Sequence, residues 1–392
     1  MTPGQPGGAV IAGLGLTPMG KVFDQTGPQL AVQAVTAAVR DAGLVLDDLD
    51  GLLVNPGITR CIDIKLQRDL GLQNLSLSSE IQSFGSSAAV MVSIAAQAIT
   101  AGTATAVVCV FADTPVRAGK GSGAAYTDPV TRLRPGFAGL PAAGGLLGPN
   151  VGYALAARRH MDTYGTTSEQ LGAVAVSTRA WATMNPLAQM RTPIGIEDHQ
   201  QSRMIVDPLH LLDCCLVSNG AVAVVLTAAD RARDLAKPPV HIHGYGQSHP
   251  GYRDERGSEF GLTTGAVESG KQAFAMAGVT ADQIGVREIY DCYTFTTLIT
   301  LEDYGFCEKG EGGKFAESGA LAPGGALPTN TGGGQLSGYY MWGMTPLSEA
   351  IIQARGEAGD RQVDNHDLVL VSGNGGILDH HSTLILSPHP KA

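Results

Sequence analysis

The stretch from Thr329 to Met344 reads TNTGGGQLSGYYMWGM and carries no charged residue. Gly332, Gly333 and Gly334 put no Cβ between the backbone and whatever approaches it, so a ligand could come close there. Two phenols, Tyr339 and Tyr340, follow at once. A phenol fixed beside a bare glycine turn is a candidate acid or base. The plainer alternative is a turn followed by two core aromatics, and a short motif alone does not decide between them.

The other reactive side chains give less. The six cysteines, Cys61, Cys109, Cys214, Cys215, Cys292 and Cys307, contain no CxxC pair, so neither a zinc ribbon nor a redox dithiol is expected. Cys109, inside AVVCVFAD, reads as inert core; Cys214-Cys215, after LHLLD, is core or borders a site. His241 and His243 alternate on a strand and share a face, but two histidines without a third ligand do not make a metal site. His380-His381 follows a glycine turn and reads as surface or supporting. No metal is expected in this chain.

Composition narrows the class. The chain has 392 residues, a formal net charge of -10, 16% charged residues and 52 glycines. That length accommodates two domains. An acidic chain without Lys/Arg runs does not fit a nucleic-acid binder. MTPGQPGGAV lacks the basic start and apolar run of a signal peptide, and no run of 18 apolar residues offers a membrane span. A soluble cytoplasmic protein with free thiols is expected.

The elements that must position the phenols follow from periodicity. Strands are expected at Val10–Leu16, Leu49–Val54, Ser78–Gln82, Thr105–Phe111, Ala221–Thr227, Leu368–Ser372 and Ser382–Leu386. Leu30–Ala42 has helical spacing and stops at Gly43. Ala88–Thr100, AAVMVSIAAQAIT, is apolar on every side and reads as a buried helix. From about 112 to 203 the composition shifts to glycine-rich loop and two helices, read as an insertion over the sheet.

The second half repeats the first. Ile11-Ala12-Gly13-Leu14-Gly15 has a counterpart in Ile242-His243-Gly244-Tyr245-Gly246, an offset of 231, and Asp41-Ala42-Gly43 parallels Met276-Ala277-Gly278, an offset of 235. Ser218-Asn219-Gly220 before AVAVVLT echoes Gly373-Asn374-Gly375-Gly376, read as a turn before the last strand. The chain is expected to be a duplicated α/β fold of layered helices and mixed sheets, with halves at 1–237 and 238–392 and the large insertion in the first.

The duplication, the buried small-residue helix after a turn and the two late glycine turns together resemble the thiolase superfamily over nearly the whole chain. In thiolases the turn before that helix carries a nucleophilic Cys, as in C-G-S-G; here it reads Phe84-Gly85-Ser86-Ser87. The thiolase G-H-P motif after a glycine run corresponds to the stretch in which Tyr340 replaces the His. The terminal C-x-G-G-G turn is similar to Ser372-Gly373-Asn374-Gly375-Gly376, again without Cys. The turn written N-E-A-F or H-D-x-F matches Tyr290-Asp291-Cys292-Tyr293. Condensation or thiolysis by the usual route needs a thiolate, and Phe84 removes it.

Tyr290-Asp291, LEDYGFCEKGEG (Leu301 to Gly312) and TNTGGGQL followed by Tyr340 further resemble the lipid-transfer-protein-like aldolases that shorten steroid side chains. That resemblance implies retro-aldol cleavage of a β-hydroxyacyl-CoA, releasing a ketone or aldehyde and a short acyl-CoA. Tyr290, read as ending a strand, and Tyr340, after the glycine turn, fall on the two tyrosines proposed as catalytic in that group. Tyr340 is assigned to the β-hydroxyl and Tyr290 to the opposite proton transfer or to orientation, with the exchanged roles open. Asp291 would orient a tyrosine or a loop amide, and the adjacent Tyr339 leaves a one-residue shift open. Phe84, Gly85, Gly333, Gly334, Asn374 and Gly375 would form the loops holding the substrate and its enolate oxygen.

The resemblance implies no cofactor in this chain, with the CoA thioester as substrate. It also implies a homodimer and a small partner with an OB-like barrel and a zinc ribbon, where any zinc would sit. Two other functions stay open: a Cys-free acyltransferase or C–C ligase of the same fold, and a non-catalytic acyl-CoA- or sterol-binding subunit.

Overall fold

A computed structural model describes residues 8–126, 136–146, 148–251 and 257–391. The first seven residues, on which the reading of the N-terminus rests, and 127–135 and 147 of the expected insertion lie outside them.

Eight uncharged residues form the first strand, β1 (Ala9–Leu16). Helix α1 (Gly27–Ala42) starts three residues before the apolar spacing does, because Thr26 and Gln29 close a capping box ahead of it, and Gly43 ends it at φ 75°. Then follow β2 (Gly51–Asn55), α2 (Leu66–Asp69), β3 (Leu77–Glu80), α3 (Ser87–Thr100) and β4 (Ala106–Asp113). The insertion supplies α4 (Leu140–Ala143), α5 (Pro149–Tyr164), α6 (Ser168–Thr183) and α7 (Ile196–Gln201). A small hairpin comes next, β5 (Met204–Val206) with β6 (Leu209–His210), and β7 (Gly220–Ala228) closes the first half. The second half comprises β8 (Val240–Ser248), α8 (Ala266–Ala277), β9 (Val286–Glu288), α9 (Thr294–Asp303), α10 (Gly312–Glu317), α11 (Met344–Ala354), β10 (Val369–Gly375) and β11 (His380–Ser387).

Among the described residues, nine strands form one mixed sheet in the order β3-β2-β4-β7-β1-β8-β11-β10-β9. Read outward from the centre, both sides use the same pairings: β1 is antiparallel to β7, β7 to β4, and β4 runs parallel to β2; β8 is antiparallel to β11, β11 to β10, and β10 runs parallel to β9. Two residue pairs, Val10 with His241 and Ile11 with Val240, join the sides. The duplicated α/β fold expected from the sequence is therefore present. We propose that the halves meet at Lys237-Pro238, in the loop before β8.

The two offsets have a physical cause. A Cβ on Gly13 or Gly15 would strike the carbonyls of Ala38 and Ala34 in α1; one on Gly244 or Gly246 would strike those of Ala273 and Ser269 in α8. Strand and helix backbones touch at matching points in both halves. The glycines are separated by 231 residues and the helix residues by 235, so the connection into α8 is four residues longer.

Alternation along the strands sorts side chains into layers. In β4, Val107, Cys109 and Phe111 enter the central core, while Ala106, Val108, Val110 and Ala112 face α1. In β11, Leu384 and Leu386 face inward and Ile385 faces the α8 side. The central core is filled by α3 and α11, and α3 touches strands of both halves. A helix enclosed this way has no polar face to show, as its sequence required.

Two expectations need correction. Gly373, Asn374 and Gly375 are not a turn: β10 runs through them and the turn begins at Gly376, at φ 66°. Tyr290 does not end a strand, since β9 stops at Glu288 and the tyrosine follows in the loop. Among the described residues no helix is long and apolar enough to cross a membrane.

Gly244→Ala should overpack the β8–α8 contact and cost about 1–3 kcal/mol. A lower denaturation midpoint at unchanged slope is the expected reading. Gly121→Ala, where a Cβ meets open space, is the control and should be neutral.

Candidate active site

Beyond β9 the chain is stitched to the glycine stretch. Arg287 O accepts the Asn330 N–H at 2.9 Å, and the Ile289 N–H donates to Asn330 Oδ1 at 2.7 Å. Asp291, fully buried, accepts the Gln335 N–H at 2.7 Å and the Leu336 N–H at 3.4 Å. Those amides belong to a single wide helical turn, Gly334–Gly338. Burial pushes the Asp291 carboxyl up to about 7 even against the two N–H donors. Of the two roles open to Asp291, it performs the loop-amide one.

The three glycines face the protein's own groups. A Cβ would meet the Glu349 carboxylate at Gly332, Ala182 at Gly333 and the Asp291 carboxylate at Gly334. Gly333 and Gly334 have φ 88° and 52°, which only glycine takes without strain. The turn thus brings its backbone onto Asp291 and carries the tyrosines into place.

Extended backbone at Tyr339 (φ -154°, ψ 162°) sends adjacent side chains in opposite directions. The Tyr339 hydroxyl meets Ser348 Oγ on α11 at 2.6 Å, while the Tyr340 hydroxyl meets the Tyr290 hydroxyl at 3.1 Å. The structure thus pairs Tyr290 with Tyr340 and leaves Tyr339 on the other side. Burial holds both paired phenols well above the usual tyrosine range, so both carry protons at rest.

The turn that carries the thiolase nucleophile surrounds this pair. A Cβ on Gly85 would strike the Tyr290 ring and Asn374 O; one on Gly375 would strike Ser83 O. Phe84 sits at φ 52° and is 41% exposed, with its ring 5.9 Å from Trp342 and stacked on His380 at 6.2 Å. Trp342 also has positive φ, 49°. Two non-glycine residues held this way, ring against ring, mark a strained position of the kind found at functional sites. The nearby hydroxyls are occupied locally: Ser86 Oγ donates to Ser83 O at 2.8 Å, and Ser87 Oγ accepts the Ser83 N–H at 2.8 Å.

Asn374 Nδ2 donates to the Tyr153 hydroxyl at 3.1 Å, while its Oδ1 is buried without a hydrogen-bond partner among the described residues. The Tyr153 and Tyr293 rings pack with centroids 4.5 Å apart, tilted by 32°. Cys215 and Cys292 face the tyrosine pair, and burial pushes Cys292 up to about 12 and Cys215 well above its usual range. These are thiols, not thiolates. His381 lies in the core against Ser372 and Tyr304, where burial pushes it down to about 3; His380 stands at the rim.

His199, His210 and Asp213 have metal-type ligand atoms close together. Asp213 already accepts the Thr294 hydroxyl at 2.5 Å and the His210 N–H at 2.7 Å, with His199 Nε2 2.9 Å away, so the cluster braces the start of α9. A cavity of about 500 Å³ lined by Ile284, Arg287, Phe306 and Leu327 opens beside the start of β9 and includes no tyrosine.

Sequence reasoning missed Tyr153 and Tyr126, contributed by α5 and by the insertion loop before it. Neither lies in a motif; only the placement of the insertion over the sheet hinted at them.

Residues 213–388 match the family model described as thiolase C-terminal domain-like. The chain is 39% identical over 379 residues to a steroid side-chain-cleaving aldolase of Thermomonospora curvata, covering 94% of this chain and 96% of that one. It is 37% identical over 386 residues to a 17-hydroxy-3-oxo-4-pregnene-20-carboxyl-CoA lyase of Mycobacterium tuberculosis, covering 94% and 97%. A solved structure described as an Ltp2-ChsH2(DUF35) aldolase superposes with TM-score 0.83 at 38% identity, over 98% of each chain. The chain belongs to the thiolase superfamily. Within it, these full-length relatives carry the names of aldolases and lyases.

Removing one hydroxyl by Tyr290→Phe or Tyr340→Phe should lower kcat by about 10²- to 10⁴-fold, the usual contribution of a positioned proton-transfer group. Tyr339→Phe should cost little turnover and show instead as a modest loss of thermal stability, through the lost bond to Ser348. A severe loss in Tyr339→Phe alone would reverse the assignment.

Proposed function

We propose that this chain is a cytoplasmic carbon–carbon lyase that cleaves a β-hydroxyacyl-CoA bearing a bulky, steroid-type β substituent by retro-aldol chemistry. The observation that carries this is the buried Tyr290–Tyr340 hydroxyl pair at 3.1 Å, beside a phenylalanine where the superfamily's nucleophile would stand. Three demands must be met. The β-hydroxyl gives its proton to Tyr340 while Tyr340 passes its own proton across the 3.1 Å bond to Tyr290 and Tyr290 gives its proton to Cα, one relay that leaves both phenols protonated at the end. The β-oxygen's electrons form the ketone or aldehyde, and the Cα–Cβ bond breaks with its electron pair moving into the thioester as an enolate. Protonation of that enolate at Cα gives a shortened acyl-CoA such as propionyl-CoA or acetyl-CoA. The Phe84-Gly85 and Asn374-Gly375 backbones, packed around the Tyr290 ring, are where the enolate oxygen would be held. Gly333, packed on Ala182, and Gly334, packed on Asp291, fix the turn that carries Tyr340.

The similar solved structure is described as a complex with a DUF35 protein. We extend this to a small partner with an OB-like barrel and a zinc ribbon that completes the CoA site, with the thiolase-fold chain as a homodimer. Any zinc belongs to that partner.

The test is incubation of this chain, with and without such a partner, with a tertiary β-hydroxyacyl-CoA, and separate assay of the ketone and the shortened acyl-CoA. Equimolar appearance of both is expected. Release of free CoA alone would point to thioester hydrolysis, and tight binding without either product to a binding subunit; each contradicts the proposal.

A further inference from the structure

The offset of 235 that relates α1 to α8 also takes Leu52 in β2 onto Arg287 in β9, and the strand pairings agree. Leu52 stands between Val108 of β4 and Ser78 of β3; Arg287 stands between Leu370 of β10 and Thr329. In the first half this position is closed core, where Leu52 is fully buried with Ile62, Leu66 and Leu70. In the second half a guanidinium occupies it, on a residue only 3% exposed, and lines the cavity of about 500 Å³. The fold itself does not require a charge there, since the duplicate position carries leucine.

The guanidinium is only partly satisfied. Nη2 donates to Ile284 O at 2.6 Å and Nη1 to Gly285 O at 3.3 Å, while Cζ lies 4.5 Å from the Phe306 ring centroid. The Nε–H has no hydrogen-bond partner among the described residues. An arginine carries five N–H groups, so these bonds leave most of them over. Burial, with no acidic neighbour to counter it, pushes Arg287 down to about 10, which still leaves it charged at neutral pH. A buried cation without its anion is costly, and the Phe306 face offsets only part of that. The cavity wall also holds apolar side chains, Ile284, Leu327 and Val363. Asp282 lines it too, its carboxylate accepting the Thr280 hydroxyl at 2.5 Å. A negative charge already in the wall disfavours a phosphate dianion, whereas a single carboxylate matches the guanidinium fork.

We propose that the cavity beside β9 binds a small apolar carboxylate, with its oxygens on Arg287 and its body against Phe306, Leu327 and Val363. A cavity of this size suits a ligand of drug-like dimensions. No tyrosine lines it, so the site is separate from the Tyr290–Tyr340 pair and does not depend on the reaction assigned to that pair.

The probe is 4-benzoylbenzoate, which joins one carboxylate to an apolar body and cross-links on irradiation. Titration calorimetry should show saturable binding to the native chain. The neutral 4-benzoylbenzamide and inorganic phosphate should each bind about tenfold or more weakly. Arg287→Leu installs the side chain found at the duplicate position. It should weaken binding by about 10- to 100-fold, the ordinary contribution of hydrogen bonds to a charged group, with a native circular dichroism spectrum. Cross-linking needs no variant: on the native chain the label should fall within 305–306 or 325–328. That mapping and the acid–amide comparison decide the matter even if Arg287→Leu does not fold. Absence of saturable binding, equal affinity for acid and amide, or labelling confined to other segments would overturn the proposal. So would undiminished affinity in a folded Arg287→Leu. Phosphate bound as tightly as the carboxylate would overturn the ligand class.

Discussion

Two phenols buried against one another cannot both be satisfied by water, and an unpartnered buried hydroxyl costs about 1–3 kcal/mol. The Tyr290–Tyr340 bond at 3.1 Å answers that constraint, and much of the surrounding structure exists to hold it. Gly85 has no side chain because the Tyr290 ring occupies that space. Gly334 has none because Asp291 must reach the amides of the turn that delivers Tyr340. Asp291 accepts the amides of Gln335 and Leu336 in this arrangement. It is the tether that keeps two remote segments in register, and its own burial, which raises its pKa to about 7, is the cost of that placement.

Thiolase architecture makes the arrangement possible. The two halves close on α3 and α11, so the turn before α3, the turn before α11 and the end of β10 all converge. In the family resemblance these same positions carry Cys, His and Cys. Here they carry Phe84, Tyr340 and Ser372, and in the chemistry proposed above a proton-transfer pair takes the place of a soft nucleophile. Cys215 and Cys292, beside the pair, are pushed by burial toward the neutral thiol, the weaker nucleophile.

The fold was legible in the sequence because backbone contacts leave marks there. Gly13, Gly15, Gly244 and Gly246 recur at a fixed offset since each meets a helix carbonyl, and strand alternation declared the layers. The tyrosine pair was legible through its motifs. What lies against the Cα of each glycine was not: nothing local points to Glu349 beside Gly332, Ala182 beside Gly333 or Asp291 beside Gly334. Asn374 was expected in a turn and lies in a strand, because strand pairing with His381 outweighs the local preference of Gly-Asn-Gly. Tyr126 was illegible, since its neighbour Tyr340 lies more than two hundred residues away.

The central claim is that Tyr290 and Tyr340 work as one unit. A double-mutant cycle on kcat measures this directly, using Tyr290→Phe, Tyr340→Phe and the double variant on one β-hydroxyacyl-CoA. If the pair is a unit, the double variant should be about as slow as the slower single, because removing either member already disables the exchange. Losses that multiply would show two independent phenols, and a double variant with native turnover would show that neither phenol moves a proton.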